Sequence, residues 1–209
     1  MKPLNLDLHL VTDRSLSLGR DLLDIVRAAV QGGVSVVQLR EKTCATREFI
    51  ELGRAVSALL QSTSVPLLIN DRVDVALAVG ADGVHIGQSD MPYAEARRLL
   101  GPDAIIGLSV ESQDHALAAE ALDVDYLGLS PVFTTPTKQE LQEQLGLEGV
   151  AGIRRLSRHR LVAIGGIHDE NIAAVLQSGA DGVAVVSAIC SAPDPVQATR
   201  QLQQQIALR

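Results

Sequence analysis

Short aliphatic and β-branched runs alternate along this chain with longer segments whose apolar residues recur at helical spacing. The runs at 8–12, 35–39, 66–70, 83–87, 104–108, 126–130, 161–165 and 182–186 predict eight strands. Segments between them, such as 19–33, 46–62 and 170–180, predict helices, and 195–207 (PVQATRQLQQQIA) predicts one after the last strand. Strands joined through helices run parallel, and strands covered on both faces need the continuous apolar runs seen here. Eight such units, the last ending in a helix able to cover the final strand, favour a closed barrel over an open doubly wound sheet. The expected fold is α/β, a single-domain (β/α)8 TIM barrel over residues 1–209.

An internal repeat supports closure. VGADGVHIG (79–87) and SGADGVAVV (178–186) are near copies, and QGGVSVVQL (31–39) and LDVDYLGLS (122–130) are looser ones. Every even strand is entered through the same helix-end turn, where Gly suits a helix closing at positive φ. Alternate strands of such a barrel share a packing layer, so a period of two units is physically sensible. The one long irregular connection, 131–150, has the size of a lid or binding loop.

Composition narrows the function classes. Aromatics make up only 2% of the 209 residues, so aliphatic side chains must fill the core. A formal net charge of −7 with so few rings argues against nucleic-acid binding. It leaves anionic small substrates open, because a local basic cluster can outweigh the global charge. Cys44 and Cys190 form no metal-ligand pattern and are expected to be reduced thiols in a cytoplasmic protein. The opening MKPLNLDLHLV lacks the apolar core of a signal peptide, and no apolar run is long enough to span a bilayer. A homo-oligomer is left open.

In this architecture chemistry gathers at the C-terminal ends of the strands. The second strand ends in Gln38-Leu39-Arg40-Glu41-Lys42, the third in Asn70-Asp71-Arg72 and the fourth in Gly87-Gln88-Ser89-Asp90. The fifth ends in Ser109, and the sixth leads through Ser130 to Thr134, Thr135, Thr137 and Lys138. Asp71 and Asp90 close neighbouring strands, so their carboxylates can converge as hard oxygen ligands for Mg²⁺, with room for water and phosphate oxygens. The alternative is that each Asp caps the helix that follows it. Arg40, Lys42 and Lys138 suit a diphosphate clamp, the alternative being surface ion pairs with Glu41 and Glu140. Gly165-Gly166 and Val186-Ser187-Ala188 occupy the phosphate-binding position common in these barrels, after the last two strands. His9 and His85 fall within strands and read as packed or hydrogen-bonded core residues, whereas His115, His159 and His168 read as surface or loop residues. Cys44 lies near Lys42, which could depress its thiol pKa, though a bystander is the plainer reading. Arg72 is expected to make only a structural ion pair.

VVQLREK (36–42), INDRVDVALAVGADGVHIGQSD (69–90), IIGLSV (105–110), PVFTTPTK (131–138), AIGGI (163–167) and GVAVVSAI (182–189) together resemble the thiamine-phosphate synthase family. The motifs run from the second strand to the eighth. The resemblance implies condensation of hydroxymethylpyrimidine diphosphate with a thiazole phosphate, carboxylated or not, to give thiamine phosphate and pyrophosphate. It implies Mg²⁺ on Asp71 and Asp90, and the pyrimidine diphosphate on Gln38, Arg40, Lys42, Asn70, Ser109 and Lys138, with Leu39 and Glu41 in the same stretch. Thr135, Pro136, Thr137, Gly166, Val186 and Ser187 would meet the thiazole phosphate, and Arg40, Lys42, Ser109 and Lys138 would act on the departing diphosphate. The chain departs from the family pattern at Ser130-Pro131, often Gly-Pro, at SVES (109–112), often Ser-Val-His-Ser, and at His9, where an aromatic is usual. A thiazole tautomerase of the same barrel type would not need the full diphosphate clamp, and a non-catalytic ligand-binding barrel would be expected to have lost the metal ligands.

Overall fold

The computed structural model describes residues 4–134 and 144–208. Eight strands alternate with helices: β1 (Leu8–Val11), α1 (Leu22–Gly32), β2 (Val36–Leu39), α2 (Thr46–Leu60), β3 (Leu67–Asn70), α3 (Val73–Val79), β4 (Gly83–Ile86) and α4 (Tyr93–Leu100). There follow β5 (Ile105–Val110), α5 (Gln113–Ala119), β6 (Tyr126–Leu129), α6 (Gly146–Leu156), β7 (Leu161–Ile164), α7 (Ile172–Gln177), β8 (Gly182–Val185), the short α8 (Ser187–Cys190) and α9 (Pro195–Ala207). All neighbouring strands pair in parallel, and β1 pairs with β8, closing the barrel.

The strand readings hold to within a residue or two at each end. Two loop and helix expectations need correction. The 131–150 connection is not irregular throughout, because Gly146 already begins α6. The 170–180 pattern yields only the six residues of α7. Helix ends behave as expected: Gly33 (φ 108°) and Gly80 (φ 68°) sit in the left-handed region and donate back to the last carbonyls of α1 and α3.

Apolar side chains pack in two places. The larger cluster fills the layer between sheet and helices, with Leu8, Leu10, Val37, Leu39, Ile69, Leu127 and Val183 facing outward from the strands. The smaller lies inside the barrel around Val36, Leu68, Ile105, Tyr126, Val162 and Ala184. Two glycines make room for rings there. A Cβ on Gly107 would lie 2.2 Å from Tyr126 Cζ, and one on Gly128 would lie 2.7 Å from His85 Cε1.

The repeat before the even strands does more than turn the chain. Ser35, Asp82, Asp125 and Asp181 each immediately precede an even strand. Their backbone N–H groups donate to the carbonyls of Leu8, Leu67, Ile106 and Leu161. Their side-chain oxygens accept from the N–H groups of those same residues, at 3.0, 2.8, 2.8 and 2.8 Å. Each even strand is thus latched to the preceding odd strand at the N-terminal rim, with strand-end donors satisfied.

Candidate active site

The opposite rim opens into a cavity of about 670 Å³. Its lining includes Gln38, Arg40, Lys42, Asn70, Asp71, Asp90, Ser109, Gly166, Val186 and Ser187, so residues from six strand ends converge as expected. Thr135, Pro136, Thr137 and Lys138 lie outside the described residues. Leu39 and Glu41 do not line the cavity. Leu39 faces the outer core, as its place next to inward-facing Gln38 dictates, and the Glu41 carboxylate is engaged by Arg14 at 3.2 Å. Their side chains are spent on structure.

Asp71 and Asp90 form the acidic side of the mouth. Neither caps its helix: α3 begins from Arg72 and α4 from Pro92, each without a side-chain cap hydrogen bond among the described residues. Asp71 instead takes a left-handed backbone (φ 63°), rare for a residue with a Cβ, and its N–H donates 2.8 Å to the carbonyl of His85. Asp90 Oδ2 accepts from the N–H of Gly87 at 2.6 Å. The Asp90 carboxyl is held above its ordinary range, first by burial and also by the hydrogen-bonded Asp71 carboxyl, against the opposing pull of Gly87 and Lys42. Two carboxylates crowded together suit a shared cation. Among the described residues no group of three or more His, Cys, Asp or Glu could hold a metal, so any ion here would draw its remaining ligands from water or substrate oxygens.

Cations face this pair. Lys42 Nζ ion-pairs with Asp71, rather than with Glu41. Arg40 Nη1 binds Asp13 Oδ2 at 2.8 Å, and its N–H donates 3.0 Å to Thr12 Oγ1. Asp13 is anchored in turn by the N–H groups of Ser15 and Leu16 at 3.0 and 3.2 Å. Burial opposes its ionisation, but the Ser15 hydroxyl, these N–H groups and Arg40 hold it below the usual carboxylate range. Asp13 was missed in the sequence, although it follows the first strand much as Asp71 follows the third. Arg72 makes the ion pair expected of it, with Asp74 at 2.6 Å.

A hydrogen-bonded chain of side chains crosses the floor. Ser109 Oγ meets His85 Nε2 at 2.8 Å, and His85 Nδ1 meets the Tyr126 hydroxyl at 2.9 Å. Burial pushes the Tyr126 phenol far above its ordinary range, with a hydrogen bond to Gln38 acting the other way, so it remains a protonated donor. An imidazole that accepts through one nitrogen and donates through the other gives such a chain a direction and fixes the Ser109 hydroxyl. His85 is therefore part of the cavity wall as well as a hydrogen-bonded residue of the barrel interior. His159 lies in a loop, as one of its readings had it, but it is buried rather than at the surface, with Nε2 3.1 Å from the carbonyl of Ala119. The Cys44 thiol is raised by burial, Glu41 and Glu48, which corrects the idea that Lys42 could lower it.

On the far side, Gly165 (φ 109°) and Gly166 (φ 65°) pass beneath the loop after β6. A Cβ on Gly166 would lie 2.8 Å from Phe133 Cβ and 2.9 Å from the Thr134 carbonyl oxygen, so both backbone shape and space demand Gly. Asn171 Nδ2 donates to the Gly166 carbonyl at 2.8 Å, fixing the turn. Ser187 opens α8, whose first N–H groups have no partner within the helix. Val162, Ile164, Ala184 and Val186 form an apolar wall below.

Fold and mouth together define a (β/α)8 barrel enzyme of small molecules, with paired carboxylates beside basic side chains at its mouth. A family model described as thiamine monophosphate synthase matches residues 8–189. The chain is 55% identical over 201 residues to a thiamine-phosphate synthase of Albidiferax ferrireducens, covering 96% of this chain and 92% of that one. It is 53% identical to one of Syntrophomonas wolfei, covering 94% of each. It superposes on a thiamine phosphate pyrophosphorylase from Pyrococcus furiosus with a TM-score of 0.89 at 40% identity, over 97% of this chain and 96% of that one. The chain belongs to the thiamine-phosphate synthase family. Likeness to 3-hexulose-6-phosphate synthase, at TM-score 0.69 and 16% identity, reflects the shared barrel alone.

Proposed function

We propose that this protein condenses 4-amino-2-methyl-5-hydroxymethylpyrimidine diphosphate with 4-methyl-5-(2-phosphooxyethyl)thiazole, or its carboxylated form, to give thiamine phosphate and pyrophosphate. The observation that carries the reading is the convergence of Asp71, Asp90 and Lys42 at one side of the mouth. The bond between the pyrimidine methylene carbon and the diphosphate oxygen breaks, and its electron pair leaves with the diphosphate. The thiazole nitrogen supplies the pair for the new carbon–nitrogen bond. No protein nucleophile is required.

The side chains supply placement and charge. Lys42 and Arg40 oppose the charge gathering on the leaving oxygens, Arg40 from a position held by Asp13. Ser109 donates a hydrogen bond whose direction is set by His85. Asn70 and Gln38 orient the pyrimidine, and Gly166, Val186 and Ser187 receive the thiazole phosphate through backbone N–H groups and a hydroxyl. Lys138, Thr135, Pro136 and Thr137 belong to the proposed lid and add charge and shelter from water. Asp71 and Asp90 suit Mg²⁺, which when bound would neutralise diphosphate charge.

Pyrophosphate release and thiamine phosphate formation, the latter followed by mass spectrometry, should require both substrates and Mg²⁺ together. A folded protein that forms no thiamine phosphate under these conditions would overturn the assignment. Proton exchange on a thiazole phosphate without condensation would point to a tautomerase instead.

A further inference from the structure

His9 lies inside the barrel on β1, in register with Val36 and Ala184, and lines the cavity. It is fully buried, and neither ring nitrogen has a hydrogen-bond partner among the described residues. Buried polar groups are almost always paired, because an unpaired one forfeits its hydrogen bonds to water. A phenyl ring at this position would avoid that loss. The imidazole meets Tyr126 edge-on, with ring centroids 5.3 Å apart and planes at 80°. This contact places it beside the polar half of the floor, with Gln38, His85 and Tyr126, rather than with the apolar wall below Gly166 and Ser187.

We propose that His9 is a specificity-determining residue whose free ring nitrogen hydrogen-bonds the aminopyrimidine ring of the diphosphate substrate. The inference rests on the substrate assignment above. With the diphosphate assigned to Lys42 and the Asp71–Asp90 pair, and the pyrimidine to Gln38 and Asn70, the ring would lie over this polar half of the floor. Burial, with His85 and Arg160 adding to it, lowers the His9 pKa to about 3, so the imidazole is neutral at working pH. A neutral imidazole offers one donor and one acceptor. An aminopyrimidine offers an amino donor and ring-nitrogen acceptors, so either tautomer finds a match. The thiazole phosphate presents no comparable amino edge.

The test compares wild type with His9→Phe and His9→Gln, using pyrimidine diphosphate binding by calorimetry and steady-state KM values for each substrate. His9→Phe should melt at or above the wild-type temperature, yet bind pyrimidine diphosphate at least about tenfold more weakly. Its KM for thiazole phosphate should stay within about twofold, and His9→Gln should recover part of the binding. Unchanged pyrimidine binding in a folded His9→Phe, or equal shifts for both substrates, would overturn the proposal. In the unsubstituted protein labelled with ¹⁵N-histidine, pyrimidine diphosphate should move one His9 ring-nitrogen resonance; no movement at saturation would overturn it equally. A wild type that binds the diphosphate but forms no thiamine phosphate would count against the condensation reading and leave the binding result standing.

Discussion

The two rims of this barrel use the same side chain for opposite ends. At the N-terminal rim, Asp82, Asp125 and Asp181 accept strand N–H groups at 2.8 Å, and Asp125 and Asp181 also meet Arg97 and Arg154. At the C-terminal rim, Asp71 and Asp90 face each other, and Asp71 sits in a backbone region that costs energy. The first arrangement pairs each carboxylate with donors and strengthens the closed sheet. The second crowds two carboxylates and holds one above its ordinary pKa, a state relieved by a cation. Carboxylates that neutralise donors build the scaffold, and carboxylates that repel each other mark the site.

Substitutions should separate the rims. Asp71→Asn and Asp90→Asn should each reduce turnover at saturating substrate and Mg²⁺ at least about a hundredfold, the scale of losing one strong contact to developing charge. Both should keep the melting temperature, since Asn tolerates the left-handed backbone at 71 and can still accept from Gly87 at 90. Wild-type rates in either variant would remove that residue from the proposed metal site. Asp125→Ala should do the reverse. Leaving the Ile106 N–H unpaired should cost about 1–3 kcal/mol in chemical denaturation, with kcat nearly unchanged. A loss of kcat without a loss of stability would break the comparison.

The smallest expected effect is a slope in pH. Above the ordinary carboxylate value and below the raised Asp90 value, the folded chain holds a proton that the unfolded chain has released. In the metal-free protein Asp90 therefore contributes a stability that falls as pH rises through that window, opposite in sign to a paired carboxylate such as Asp13. Denaturation midpoints across the window should show a shallower fall in Asp90→Asn. Mg²⁺, by replacing the proton, should flatten the wild-type slope, and a slope indifferent to both changes would detach Asp90 from the proposed cation site.

Much of this was legible in the sequence because it is periodic or terminal. Strand runs, helix-ending glycines and polar residues at strand ends are local features, and they placed Gln38, Lys42, Asn70, Asp71, Asp90 and Ser109 on one mouth. Local reading also led astray. Leu39 and Glu41 sit in the right stretch, but strand alternation turns Leu39 outward, and Arg14 claims Glu41. His85 is the hydrogen-bonded strand residue expected, but its partners, Tyr126 and Ser109, are 41 and 24 residues away, so its place in the cavity wall was not legible.

The sequence by itself determined the eightfold alternation of strand and helix, the turn repeated before even strands, and the family to which the chain belongs. These depend on side-chain size, polarity and backbone preference over a few residues. Only the tertiary structure decided which charges meet. It paired Lys42 with Asp71 and Arg40 with Asp13, set Asp90 against Asp71, and left His9 buried with two nitrogens unpaired among the described residues. Those outcomes depend on barrel closure, which brings distant strand ends within hydrogen-bonding reach and removes water from some of the groups it gathers.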